Sequence, residues 1–230
     1  MSERLIPYPE VRIRNGWLLA ETISPHLPEY STQKNRDANP MPTDDEVNRV
    51  INAYRDAWGP REDTIMSGMC RILDLSFRKN IVDVHIAPGF PAISEPLIMG
   101  MSYEPDHFVD ALTHEMTHGL LVDNTTYEND TDSILAHWKN LFGVKHVHNT
   151  LIHIPVHAAL AAVHQDVLDE PYRLERDVSI CKSQHGYRQA WDYVRKLGYE
   201  TIVSQLAVSH HILAENQRPL ETPPPGTPSA

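Results

Sequence analysis

Residues 105–123 read PDHFVDALTHEMTHGLLVD, and this stretch decides how the rest of the chain is understood. Pro105 suits a first helical turn. Phe108, Val109, Leu112, Met116 and Leu120 then recur at helical spacing, so one face of the helix is apolar and fit to lie on a sheet. Inside this helix stands His114-Glu115-Met116-Thr117-His118. At ~100° per residue, His114 and His118 are ~40° apart and one turn along the axis, so both imidazoles can reach one metal ion, with Glu115 beside them. A carboxylate in that place can hold a metal-activated water and take its proton, because bound zinc brings the pKa of water towards ~7.

Towards the N-terminus, Ile81 to Ala87 (IVDVHIA) alternates with the period of two of a half-buried strand, and Pro88-Gly89 ends it. Pro96 to Met101 (PLIMGM) predicts a second short strand. Thr43-Asp44-Asp45-Glu46 fits a capping box opening a helix through Val47, Val50, Ile51, Tyr54 and Trp58, which Gly59-Pro60 stops. A further helix is predicted over 62–75, with Ile65, Met69, Ile72 and Leu73 on one stripe. Val11 to Arg14, Asn15-Gly16 and Trp17 to Glu21 predict a β-hairpin, since Asn-Gly supplies the positive φ of a type I′ turn. Residues 24–42 read as an irregular connection rich in Pro, Asn and Ser. Beyond the motif, helices are predicted near 132–142, 154–168, 186–197 and 201–215, before a proline-rich tail at 218–230 expected to be disordered. The expected class is α+β: a small mixed sheet packed on the motif helix, then a mostly helical C-terminal half. One domain over 1–217 is expected, made of an N-terminal part (1–42), the sheet and motif helix (43–123) and a helical part (124–217).

Composition sets limits. With 41% hydrophobic and 22% charged residues and no apolar run near the ~18–20 residues of a bilayer span, a soluble protein without a membrane partner is expected. Lys+Arg 20 against Asp+Glu 31 gives a net charge of −11, which argues against a broad grip on nucleic acid. Cys70 and Cys181 form no CxxC pair, so neither a thiolate zinc site nor a disulfide framework is indicated. The first residues lack the apolar core of a signal peptide, and a cytoplasmic location is expected. The 14 histidines are the unusual feature.

His114, Glu115 and His118, with the strand-then-helix order of residues 81–122, resemble the zincin superfamily of metallopeptidases. The resemblance implies one zinc per chain held by His114 and His118, Glu115 as general base, and residues 96–101 as an edge strand that pairs with an extended peptide substrate. The metzincin continuation is absent, because Leu121 and Asn124 stand where its glycine and third histidine would be.

A catalytic zinc takes three protein ligands and an open position. His153, His157 and His164 share one helix face, with Ala161 between the last two allowing a close approach. A gluzincin-like arrangement places the third ligand on such a following helix. His157, being central, is the expected third ligand, with His153 and His164 as alternatives; His153 precedes Pro155 and is expected outside the regular helix. A SprT-like arrangement would instead use His137, and Glu128 or Asp132 are acidic alternatives. Asp110, Asp123 and Asp166 are candidates to orient a ligand imidazole, and Tyr187, His185 and Tyr172 to stabilise an oxyanion. The expected function is zinc-dependent peptide-bond hydrolysis. The alternative is a zincin-fold binding or assembly protein whose metal is structural or vestigial.

Overall fold

Strands far apart in the sequence are brought together in one small sheet. The computed structural model describes residues 8–23, 42–90, 92–124, 139, 148–170 and 185–206. Its strands are β1 (Glu10–Asn15), β2 (Ile81–Ile86), β3 (Ile93–Ser94) and β4 (Leu97–Met99), in the order β1-β2-β4-β3. β1 runs parallel to β2 from Glu10 opposite Ile81 to Asn15 opposite Ile86. β4 is parallel to β2 and antiparallel to β3. The alternation read in residues 81–86 survives as burial of Val84 and Ile86 against an exposed Ile81. The expected position of residues 96–101 at the edge is corrected: β4 is interior, because β3 folds back and covers its free side.

The expected hairpin at Asn15-Gly16 is corrected as well. β1 ends there, and α1 (Trp17–Ile23) follows. The Trp17 backbone N–H donates to Asn15 Oδ1 at 3.0 Å, so the Asn15 side chain helps to cap a helix whose first backbone acceptor is the Gly16 carbonyl. Gly16 is needed for proximity, since a Cβ there would stand 2.5 Å from His85 Cβ on β2. α1 covers one face of the sheet, where Ala20, Ala87, Phe90 and Ile98 form a small core.

The other face enters the main core. α2 (Asp44–Trp58) opens on the expected capping box: the Glu46 N–H donates to Thr43 Oγ1 at 3.3 Å, and Glu46 Oε2 accepts the Thr43 N–H at 2.7 Å. α3 (Glu62–Leu73) buries Ile65, Met69 and Leu73 as expected. The motif helix α4 (Pro105–Asn124) buries all five of its expected core residues. Its start is anchored by Phe108 stacked on Tyr54 with ring centroids 3.9 Å apart, while the Tyr54 hydroxyl accepts the Tyr103 N–H at 3.1 Å.

α5 (His148–Ala162) runs through Pro155 and passes into a π-helical turn, Val163–Val167. The helix expected from 154 therefore starts six residues earlier. An interior proline costs roughly 3 kcal/mol of helix stability, but nearly every described side chain from Thr150 to His164 is buried, and that packing keeps the chain helical on both sides of it. Gly68 of α3 admits Val167 of the π-turn, to which a Cβ would come within 2.7 Å. α6 (His185–Leu197) packs on α5, and residues 199–206 are again helical. The architecture is thus mixed α/β and mostly helical. The connection 24–41, most of the helix expected over 132–142, the segment beyond 206 and Cys181 lie outside the described residues. Cys70 is buried, which pushes its thiol up to about 11, as a reduced core thiol requires. Among the described residues, no helix is long and apolar enough to cross a membrane.

Candidate metal centre

α4 and α5 face each other across a seam of polar side chains set into an otherwise apolar interface. From α4 come Asp110, His114 and His118, spaced four apart and so on one stripe; from α5 and its π-turn come His153, His157 and His164. Burial of such groups demands partners.

At one end of the seam three imidazoles meet. His118 Nε2 lies 3.2 Å from His114 Nε2 and 3.2 Å from His153 Nε2. The ligand atoms of His114, His118 and His153 all lie within 4.8 Å of one another, close enough to hold a metal ion. A neutral imidazole nitrogen offers one proton or one lone pair, so His118 Nε2 satisfies two such neighbours poorly by hydrogen bonding alone. Three lone pairs directed at one cation resolve the conflict. With metal–nitrogen bonds of ~2.0–2.1 Å, tetrahedral geometry sets neighbouring nitrogens about 3.3–3.4 Å apart, close to what the two pairs made by His118 already provide. The donor set fits zinc or a similar first-row divalent ion.

Burial and neighbouring rings keep His114 and His118 neutral and available. Burial, then the neighbouring rings of His118, His153 and His157, hold His114 well below the usual histidine range. Burial and His153 push His118 down to about 3.

The expected third ligand, His157, stands beside this group without joining it. Its ring centroid is 5.5 Å from that of His114 and 5.8 Å from that of His153. Both His157 ring nitrogens are buried with no hydrogen-bond partner among the described residues. His153, by contrast, lies well inside α5, because the helix begins before Pro155 and carries it onto the α4 face. His164 is taken up elsewhere, with Nε2 at 3.2 Å from Asp110 Oδ1. The other candidate orienters are also engaged away from the group: Asp123 Oδ2 accepts the Arg78 N–H at 3.1 Å, and Asp166 Oδ1 accepts the Tyr199 hydroxyl at 2.9 Å. Tyr187 lies against the group from α6, its ring centroid 3.8 Å from that of His153. His137, Glu128, Asp132 and Tyr172 lie outside the described residues.

Glu115 is half-buried on the adjacent side of α4 and lines a cleft of about 180 Å³. The other walls come from β2 and the β3–β4 turn, and Met116, Gly119 and Asp123 continue the helix side. Sequence reading gave no sign of this cleft, because its walls come from segments separated by tens of residues.

No family model, curated protein or solved structure matches the chain.

Proposed function

We propose that the protein is a zincin-like, zinc-dependent metallopeptidase in which His114, His118 and His153 hold the metal and Glu115 is the general base. The observation that carries this reading is the meeting of three imidazoles, with His118 Nε2 3.2 Å from the Nε2 atoms of both His114 and His153, next to a half-buried carboxylate on a cleft. Zinc bound there would polarise the scissile carbonyl and bring a water molecule's pKa towards ~7. Glu115 takes a proton from the attacking water and returns it to the departing amine, a transfer that contributes typically 10²–10⁴-fold. Tyr187, set against His153, is the proposed donor to the oxygen that gains charge. Three grouped ligands rather than four among the described residues also favour catalysis, since structural zinc sites are closed by four.

Purified protein is expected to carry about one zinc per chain. His118→Ala should lose it, and Glu115→Gln should keep it while peptide hydrolysis falls by about a hundredfold or more. A wild-type protein without stoichiometric zinc after mild purification overturns the reading. One observation favours a second reading, a closed structural site in a binding or assembly protein: His157 is buried beside the group, and among the described residues neither of its ring nitrogens has a hydrogen-bond partner. X-ray absorption of the zinc form separates the two, with three nitrogens and one oxygen expected for the enzyme and four nitrogens for the structural site.

A further inference from the structure

Gly119 directly follows His118 and lies one turn beyond Glu115 on the side of α4 that lines the cleft. Glycine in a helix interior is unfavourable, and neither backbone nor packing asks for it here. Its φ is not positive, and a Cβ added to it would meet nothing within 4 Å. Gly16 and Gly68, in contrast, each press against a neighbour that a Cβ would strike. The space above Gly119 belongs to the cleft.

Asp123 is one turn further along the same side. Its Oδ2 accepts a backbone N–H, and among the described residues it meets no cationic side chain. The other acids of the wall away from the motif are already balanced: Asp83 lies 3.0 Å from Arg14, and Glu95 lies 3.5 Å from Lys79. Asp123 is therefore a charge waiting at the end of the cleft. At the opposite wall β3, through Ser94, borders the cleft, and among the described residues its outer edge pairs with no strand. A sheet edge of that kind accepts an extended chain by main-chain hydrogen bonds.

We propose that this cleft binds an extended peptide whose backbone passes over Gly119 and whose Lys or Arg side chain pairs with Asp123. Eight residues of helix separate Glu115 from Asp123, about 12 Å along the axis, and an extended chain advances ~3.3 Å per residue. The basic side chain thus falls three to four residues from the bond presented to Glu115. That last statement rests on the peptidase reading, whereas the binding itself does not.

The test uses zinc-loaded full-length protein and labelled ten-residue peptides carrying Lys, Leu or Glu at each position in turn, with binding read by fluorescence anisotropy and cleavage by mass spectrometry. Lys peptides should bind about tenfold more tightly than Glu peptides. Asp123→Asn should remove that preference and Asp123→Lys reverse it, each with zinc content unchanged. Gly119→Leu should bind about tenfold less tightly at unaltered zinc content, and the smaller Gly119→Ala should weaken binding without lowering the melting temperature. Equal binding of Lys and Glu peptides, or wild-type binding by folded Gly119 variants, overturns the proposal. Lys-selective binding without cleavage upholds the cleft and refutes the peptidase. Cleavage indifferent to charge in both wild type and Asp123→Asn does the reverse.

Discussion

Acidification from pH 7 to pH 5 should destabilise the metal-stripped protein through its buried imidazoles. His118 is held at about 3 in the folded chain and titrates near 6.5 when unfolded. Between those values the unfolded state binds a proton that the folded state does not, so stability rises with pH throughout the window. This contribution is fully present above about 6.5 and is lost progressively as pH falls towards 3. Each pH unit inside the window is worth about 1.4 kcal/mol per group, which makes His118 responsible for about 2 kcal/mol between pH 6.5 and pH 5. His114 and His157, both held well below 6.5 by burial and by neighbouring imidazoles, add to the loss with the same sign. Against a typical total of about 5–15 kcal/mol, the effect is large. Urea denaturation followed by circular dichroism on chelator-treated protein should show the midpoint falling by on the order of 1 M over this interval from His118 alone, given slopes of about 1–3 kcal/mol per M. His118→Leu should flatten the dependence by about one proton. Zinc-loaded protein should start from greater stability and converge on the stripped protein in acid, as protons compete for the ligands. A midpoint that stays level or rises as pH falls from 6.5 to 5, or a His118→Leu variant with the wild-type slope, would refute the claim that these rings are buried in neutral form.

Two other substitutions probe different parts of the molecule. His153→Ala should reduce bound zinc far below one per chain, whereas His157→Ala should retain it; elemental analysis after gel filtration decides, and the reverse order would restore His157 as third ligand. Gly16→Ala should lower stability by about 1–3 kcal/mol, because its Cβ would stand 2.5 Å from that of His85, and an unchanged melting temperature would show that β1 and β2 can separate without cost.

What could be read from the sequence was what is encoded locally. The capping box at Thr43, the apolar stripe of α4 and the alternation in β2 each depend on residues within one or two turns of each other, and all three are found in place. Asn15-Gly16 misled because its two residues serve separate ends, one capping a helix and the other giving way to a strand some seventy positions later. β4 was legible as a strand but not as an interior one, since its neighbour β3 is only two residues long. At the metal centre, the spacing of His114 and His118 carried its own geometry. Which of His153 and His157 comes close to that pair was not encoded so: both lie on one face of α5, and their distances follow from how α5 is set against α4. Pro155 argued for the wrong boundary because local cost was weighed without the surrounding core.

The parallel pairing of β1 with β2 also bears on the order in which the chain assembles. Glu10 waits for Ile81, so about seventy residues must be synthesised before the first strand has a partner. Meanwhile α2 and α3, whose internal hydrogen bonds are short in sequence, have time to form as helices, since closing a short stretch of chain is far quicker than closing a long one. Until β2 arrives, the N-terminal segment is an unpaired strand with Ile13 uncovered, the kind of surface on which nascent chains associate. β1 is thus a late guest in its own sheet, and the cleft beside Glu115 takes shape only when β2, β3 and β4 have come together beside α4.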